Sequence, residues 1–288
     1  GYVRAGIQAG SLLHTAGDGT GEVDIRILNP KAVKDGHKYR IAFTASPDSI
    51  RAKSYSMTDL DTGELVFSGS EDLDGGISGV TGHGLLPVVR TPKILSPNPA
   101  ASGFKAGSTT TAQIAARYAS SFNINRRRLG FPDNLIITFS DTPQDTSLAA
   151  IGAPARPAKF TVKTDKGQKL KFRFRDVNNS GTLDEATEFI EVLTYLPEAP
   201  RTPLATWDLR LAAGSSTSKP PSSGDVYHLV LAKPFQKGDM FEFKVDGERI
   251  NATDAKSQFD EQKPYVVPNP YVASASFEPE RFAVSGRG

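Results

Sequence analysis

Apolar and polar residues alternate with period two in short runs along most of the chain, and the runs are separated by Gly, Pro, Asp and Asn. That pattern predicts half-buried β-strands joined by tight turns. Val23-Asp24-Ile25-Arg26-Ile27 alternates in this way, and Lys38–Phe43 puts Tyr39, Ile41 and Phe43 on one face. Ser54–Thr58, the turn residues Asp59–Gly63 and Glu64–Phe67 read as a hairpin, because Asp and Gly supply conformations that β-branched residues resist. A second block of runs covers 134–139, 159–162, 170–174, 188–193, 206–209, 226–231 and 240–245. Seven strands at that spacing point to a sandwich of two antiparallel sheets.

The expected architecture is all-β: two immunoglobulin-like antiparallel β-sandwich domains, a connecting segment and an extended Pro-rich C-terminal tail. The expected boundaries are 1–91 for the first module, 92–130 for the connection, 131–255 for the second sandwich and 256–288 for the tail. Within the connection, Ile114 and Tyr118 are four apart, which is compatible with one short helix near 110–119. From Asn251 to Gln262 the chain is polar. Pro264, Pro268, Pro270 and Pro279 then exclude a central strand or a helix from the tail.

Composition narrows the function classes. With 34 Lys+Arg against 32 Asp+Glu the chain has no basic surplus to attract nucleic acid or an anionic membrane. Its 288 residues contain no Cys, so disulfides, thiolate metal sites and Cys nucleophiles are excluded, and stability rests on cores or bound cations. No window approaches 18 consecutive apolar residues, so no membrane insertion is expected. Opening on Gly1-Tyr2, with no signal-like segment, the chain reads as a processed or excised piece.

The sharpest chemical signal runs from Asp176 to Glu188. Asp176, Asn178 and Ser180 at positions 1, 3 and 5, Gly181 at 6, the Thr182 carbonyl at 7 and Asp184 at 9 match the wrapping of Ca²⁺ in an EF-hand-type loop. Position 12 is Thr187, and the closing acid arrives one residue late as Glu188. Two readings stay open: a β-flanked calcium loop with Asp176, Asn178, Ser180, Thr182, Asp184 and Glu188 as ligands, or an Asx-rich turn that binds nothing. Asp59, Asp61 and Glu64 also gather carboxylates, but without that ladder they read as a plain turn. His14 lies near Asp18 and Asp24, whereas His37, His83 and His228 are isolated, and all four read as structural or surface residues. No Gly-x-Ser-x-Gly, His-Glu-x-x-His or Gly-rich phosphate loop is present, so no enzyme is expected. Arg126-Arg127-Arg128 reads as a solvated edge, and Trp207, the only Trp, as core.

Tyr265-Val266-Val267-Pro268-Asn269-Pro270-Tyr271, followed by Ser276-Phe277-Glu278-Pro279 and Ser285-Gly286-Arg287-Gly288, resembles the segment upstream of the C-terminal sorting domain in large surface proteins of the Bacteroidota, Ignavibacteria and Chlorobi group. Asp18–Gly21, Gly36–Phe43 and Tyr55–Gly63 resemble the immunoglobulin- or fibronectin-like modules of those proteins, and Lys233–Phe243 resembles the closing strand pair of the second module. The resemblance implies export by the type IX secretion system and an extracellular or cell-surface location. In such proteins a sorting domain follows the Gly-Arg-Gly region; this chain stops there.

These readings together lead to the expectation of a non-enzymatic structural module: spacer, adhesin, or filament or layer subunit. Its partners would be other copies or other domains of the same surface protein, with pairing through edge strands and the tail. The alternatives are an accessory domain pair of a secreted hydrolase, or a carbohydrate-binding module that presents Trp207 or a group of Tyr residues to a glycan.

Overall fold

The computed structural model describes residues 2–44, 51–76, 81–119, 126–150, 154–216 and 218–261. They form an all-β chain of antiparallel sheets around two separate aromatic-rich cores.

In the first unit, Lys38–Thr44 lies between Ser54–Asp59 and Met240–Asp246, with Leu65–Ser70 beyond one side and Gly6–Ile7 and Leu13–Ala16 beyond the other. Register aligns Phe241, Ile41, Met57 and Phe67 in one row across four strands. Alternation then buries Tyr39, Ile41 and Phe43 on the inner face. Opposite them, Glu22–Ile27 pairs with Leu85–Arg90 and supplies Ile25, Leu85 and Val89 to the same core. The expected hairpin at 54–67 is present, with Gly63 at φ 74° closing its turn.

The second unit is a sandwich of two four-stranded sheets. One orders Gly103–Phe104, Val226–Leu229, Leu135–Phe139 and Phe160–Thr164; the other orders Ile114–Tyr118, Ala199–Leu211, Phe189–Leu196 and Lys171–Arg175. Leu135, Ile137, Phe160 and Tyr227 from the first meet Phe172, Ile190, Trp207 and Leu209 from the second.

The two units are nested rather than sequential, which corrects the expected boundaries. Met240–Asp246 was assigned to the second sandwich, yet it pairs with Lys38–Thr44 in the middle of the first unit's sheet. Phe235, Phe241 and Phe243 belong to that first core. The second core draws only on residues between Leu95 and Leu231, so this unit is inserted between two halves of the first. Entry and return run side by side: Leu231 and Ala232 pair with Pro97 and Ser96. Thr20 and Lys233 share three hydrogen bonds, with Thr20 N donating to the Lys233 carbonyl at 2.9 Å, Thr20 Oγ1 donating to the same carbonyl at 3.3 Å and Lys233 N donating to Thr20 Oγ1 at 2.8 Å. The glycines of the 17–21 segment allow the close approach; a Cβ at Gly19 would meet Phe235 Cδ1 at 2.5 Å, and one at Gly21 would meet the Arg90 carbonyl at 2.5 Å.

Two local expectations change as well. Residues 110–119 hold the strand Ile114–Tyr118, because pairing along Trp207–Leu211 satisfies its backbone and packs Ile114, Ala116 and Tyr118 on the core. The polar stretch after Asn251 is a helix, Ala252–Glu261, so the first residues assigned to the extended tail are helical. Asn251 caps it, its Oδ1 accepting from Thr253 N at 3.1 Å and Asp254 N at 3.3 Å. The rest of the tail, with the Val-Val-Pro-Asn-Pro-Tyr element, lies outside the described residues. No described helix is long and apolar enough to cross a membrane.

Candidate functional site

The Asp176–Glu188 loop joins the strands Lys171–Arg175 and Phe189–Leu196, which pair with each other. Asn179 takes φ 62° and Gly181 φ 78°, so the chain turns twice through the left-handed region that Asn and Gly tolerate best. Asp176 accepts from Ser180 N at 3.1 Å and from Gly181 N at 3.0 Å, one bond to each carboxylate oxygen. Asn178 Oδ1 accepts from Ser180 N, and Asn178 Nδ2 donates to Asp184 Oδ1 at 3.0 Å. Ser180 Oγ donates to the Thr182 carbonyl at 3.1 Å, while Thr182 Oγ1 donates to the Pro221 carbonyl at 2.9 Å. Leu183 is buried in the core and pins the middle of the loop.

Glu188 stands apart from the other five. Its carboxylate is buried, with Oε1 accepting from Val177 N at 2.9 Å and Oε2 accepting from Asp184 N and Glu185 N at 3.0 Å each. Both oxygens therefore clamp the two ends of the loop. Burial pushes its pKa up, against the lowering effect of those three N–H donors. The six residues singled out by spacing are thus joined in one hydrogen-bonded loop. Asp176, Asn178, Ser180, Asp184 and the Thr182 carbonyl form a set of hard oxygen donors of the kind Ca²⁺ takes, and the same contacts also build a closed Asx turn.

A second cluster sits in the first unit, around the Asp59, Asp61 and Glu64 carboxylates that read as a plain turn in the sequence. Asp59 is fully buried at the end of its strand and accepts from His37 Nδ1 at 2.8 Å, from Asp61 N at 3.0 Å and from Thr62 N at 3.3 Å. His83, also buried, is 3.0 Å from Tyr39 Oη through Nδ1 and 3.1 Å from Glu64 Oε2 through Nε2. Burial alone would raise the Asp59 pKa, but the hydrogen bonds from His37, Asp61 and Thr62 outweigh it and hold it below the usual carboxylate range. Burial also pushes the Tyr39 hydroxyl far up. Ligand atoms of His37, Asp59 and Asp61 lie within 4.8 Å of one another. Lys34 already brings a cation to these acids, with Nζ 3.1 Å from Glu64 and 3.6 Å from Asp59. The three acids were visible as a group in the sequence, and register adds His37: Tyr39 pairs with Asp59, which sets His37 beside the 59–63 turn. His83 arrives from a distant segment and left no local trace.

The other residues singled out by type are placed as follows. His14 Nε2 lies 2.8 Å from Asp239 Oδ1 and its ring stacks on Phe241 at 4.3 Å. His228 pairs with Gly103 and Ile136 within its sheet. Trp207 is fully buried and stacks on Tyr118, so it is core and has no face to offer a sugar. The arginine run is only in part a solvated edge: Arg126 is exposed, but Arg128 donates to the Tyr195 carbonyl at 2.6 Å and lies over the Phe131 ring.

Comparison with protein-family models, with curated proteins and with solved structures finds no match.

Proposed function

We propose that the chain is a non-enzymatic structural module of an extracellular, cell-surface protein, in which the first unit is the base and the inserted unit is the part displayed. The observation that carries this reading is the polarity of the first unit. Tyr2 pairs with Ile250 and Val3 with Arg249, so the N-terminal strand and the last described strand lie together. From there the chain runs past Gly6–Ile7, paired with Asp246 and Val245, to Ala16, paired with Met240, and reaches the junction at Thr20 and Lys233. Strand rise from Met240 to Asp246 sets the paired ends and the insertion roughly 20 Å apart, at about 3.3 Å per residue. A module whose first and last described strands lie at one pole and whose insertion lies at the other suits display, as an adhesin or a layer subunit does, better than an in-line spacer. Without Cys, an exported chain of this kind would be held by its two large cores. Ca²⁺ at the oxygen set of 176–184 would add stability by binding only the folded state.

The test is labelling of intact cells of the source organism with antibodies raised separately against the 95–232 unit and the first unit. Strong labelling by the first antibody without permeabilisation is expected. Labelling that needs permeabilised cells would overturn the reading.

A further inference from the structure

The outer side of the inserted sandwich carries a feature that the display reading does not use. An open hollow of about 960 Å³ lies beside the edge strand Lys171–Arg175, and Arg126, Arg156, Arg173 and Arg175 all line it. Two carboxylates share the lining, and both are committed. Glu191 holds Arg173 through Nη1 at 2.6 Å, and Asp176 accepts the Ser180 and Gly181 N–H groups of its own loop. Among the described residues, no carboxylate lies within ion-pair distance of Arg126, Arg156 or Arg175. Arg156 donates to the neutral Asn179 side chain. Arg173 Nε is buried with no hydrogen-bond partner. Leu148, Pro154, Val177 and Phe189 supply an apolar wall beside these guanidinium groups.

We propose that this hollow binds a compact organic polyanion, a molecule with two or more carboxylate or sulfate groups on a body large enough to cover the apolar wall, such as an acidic oligosaccharide. Guanidinium groups present paired, planar donors that match carboxylate and sulfate oxygens, and several converging on one concave site favour a multiply charged ligand. The volume far exceeds that of a single oxyanion, whose share of space is on the order of that of a few waters. A peptide added as a further strand is disfavoured, because Leu148 N already donates to the Phe172 carbonyl on that edge at 2.8 Å. Recognition therefore falls to side chains. This inference does not depend on where the protein is displayed.

Calorimetric titration of the full chain with a sulfated disaccharide and with digalacturonate tests it. Saturable binding of one ligand per chain is expected, weakening as salt rises. The Arg156→Glu/Arg175→Glu variant should lose at least tenfold in affinity with an unchanged melting temperature, and Lys237→Glu, at a distant exposed site, should bind as the parent does. If the charge reversal disturbs folding, Arg126→Gln/Arg175→Gln provides the same comparison with a milder change. The proposal is overturned by absence of saturation, by undiminished binding in both double variants, by inorganic phosphate binding as tightly as the disaccharides, or by an oligoglutamate peptide binding more tightly than they do.

Discussion

The backbone N–H of Phe235 donates to Thr91 Oγ1 at 2.7 Å, tying the residue at which the chain leaves the first unit to one at which it returns. Phe235 is fully buried and packs on Phe43 at 4.5 Å, so the return point is itself part of the first core. The insertion can therefore be separated from its host. Replacing 98–230 with a linker of about four residues should leave a folded first unit with a cooperative melt, since Pro97 and Leu231 are paired neighbours. Ending the chain at Ala232 should instead unfold the first unit, because it removes the strand between Lys38–Thr44 and the N-terminal strands. Near-ultraviolet circular dichroism of both truncations checks this.

Calcium is expected to raise the melting temperature of the intact chain and EDTA to lower it. Asp176→Ala should abolish the response, as it removes an oxygen donor and releases the Ser180 and Gly181 N–H groups. An equal melt with and without calcium would leave 176–188 as an Asx turn, for which Glu188→Gln still costs about 1–3 kcal/mol by setting an amide against backbone donors.

The two cores should respond to acid in opposite senses. Asp59 has a lowered pKa, so it binds fewer protons folded than unfolded near its titration, and its contribution is lost as pH falls through the folded value. Asp208 is the reverse. Burial raises its pKa, chiefly by desolvation and against the nearby Arg210 charge, and its Oδ1 is buried without a partner. Its folded form binds more protons, so this group opposes stability above its folded pKa and ceases to do so below its unfolded value. Asp59→Asn should flatten the acid loss of the first unit, and Asp208→Asn should raise the melting temperature of the second at pH 7. Melts between pH 3 and 7 measure both slopes.

Trp207→Ala should cost about 3–5 kcal/mol, the range for emptying a large aromatic site, whereas Trp207→Phe should cost clearly less. The indole Nε1 is buried without a hydrogen-bond partner, so the smaller ring forfeits packing and stacking on Tyr118 but no hydrogen bond. Urea denaturation of the two variants gives both values.

The strands at 38–43, 54–67, 134–139, 170–174 and 240–245 were legible in the sequence because inward residues recur every second position whatever the partner strand is. The Asp176–Glu188 loop was legible too, since the hydrogen bonds that close it on itself run between residues fewer than a dozen apart. Residues 110–119 and 252–261 were not. Ala and Tyr at the first accept helix or strand, and pairing with 207–211 decided for strand. The second lacked an apolar stripe, and the Asn251 cap favours its helix.

What the sequence determined alone was the class, two aromatic-rich β cores without cysteines, because alternation is a property of each segment by itself. Tertiary structure decided which core Met240–Asp246 completes, how His83 reaches Tyr39 and Glu64, and where four arginines converge. Those outcomes depend on pairing between residues from about 20 to more than 200 positions apart. A period-two pattern marks which residues face inward but does not name the strand they will meet.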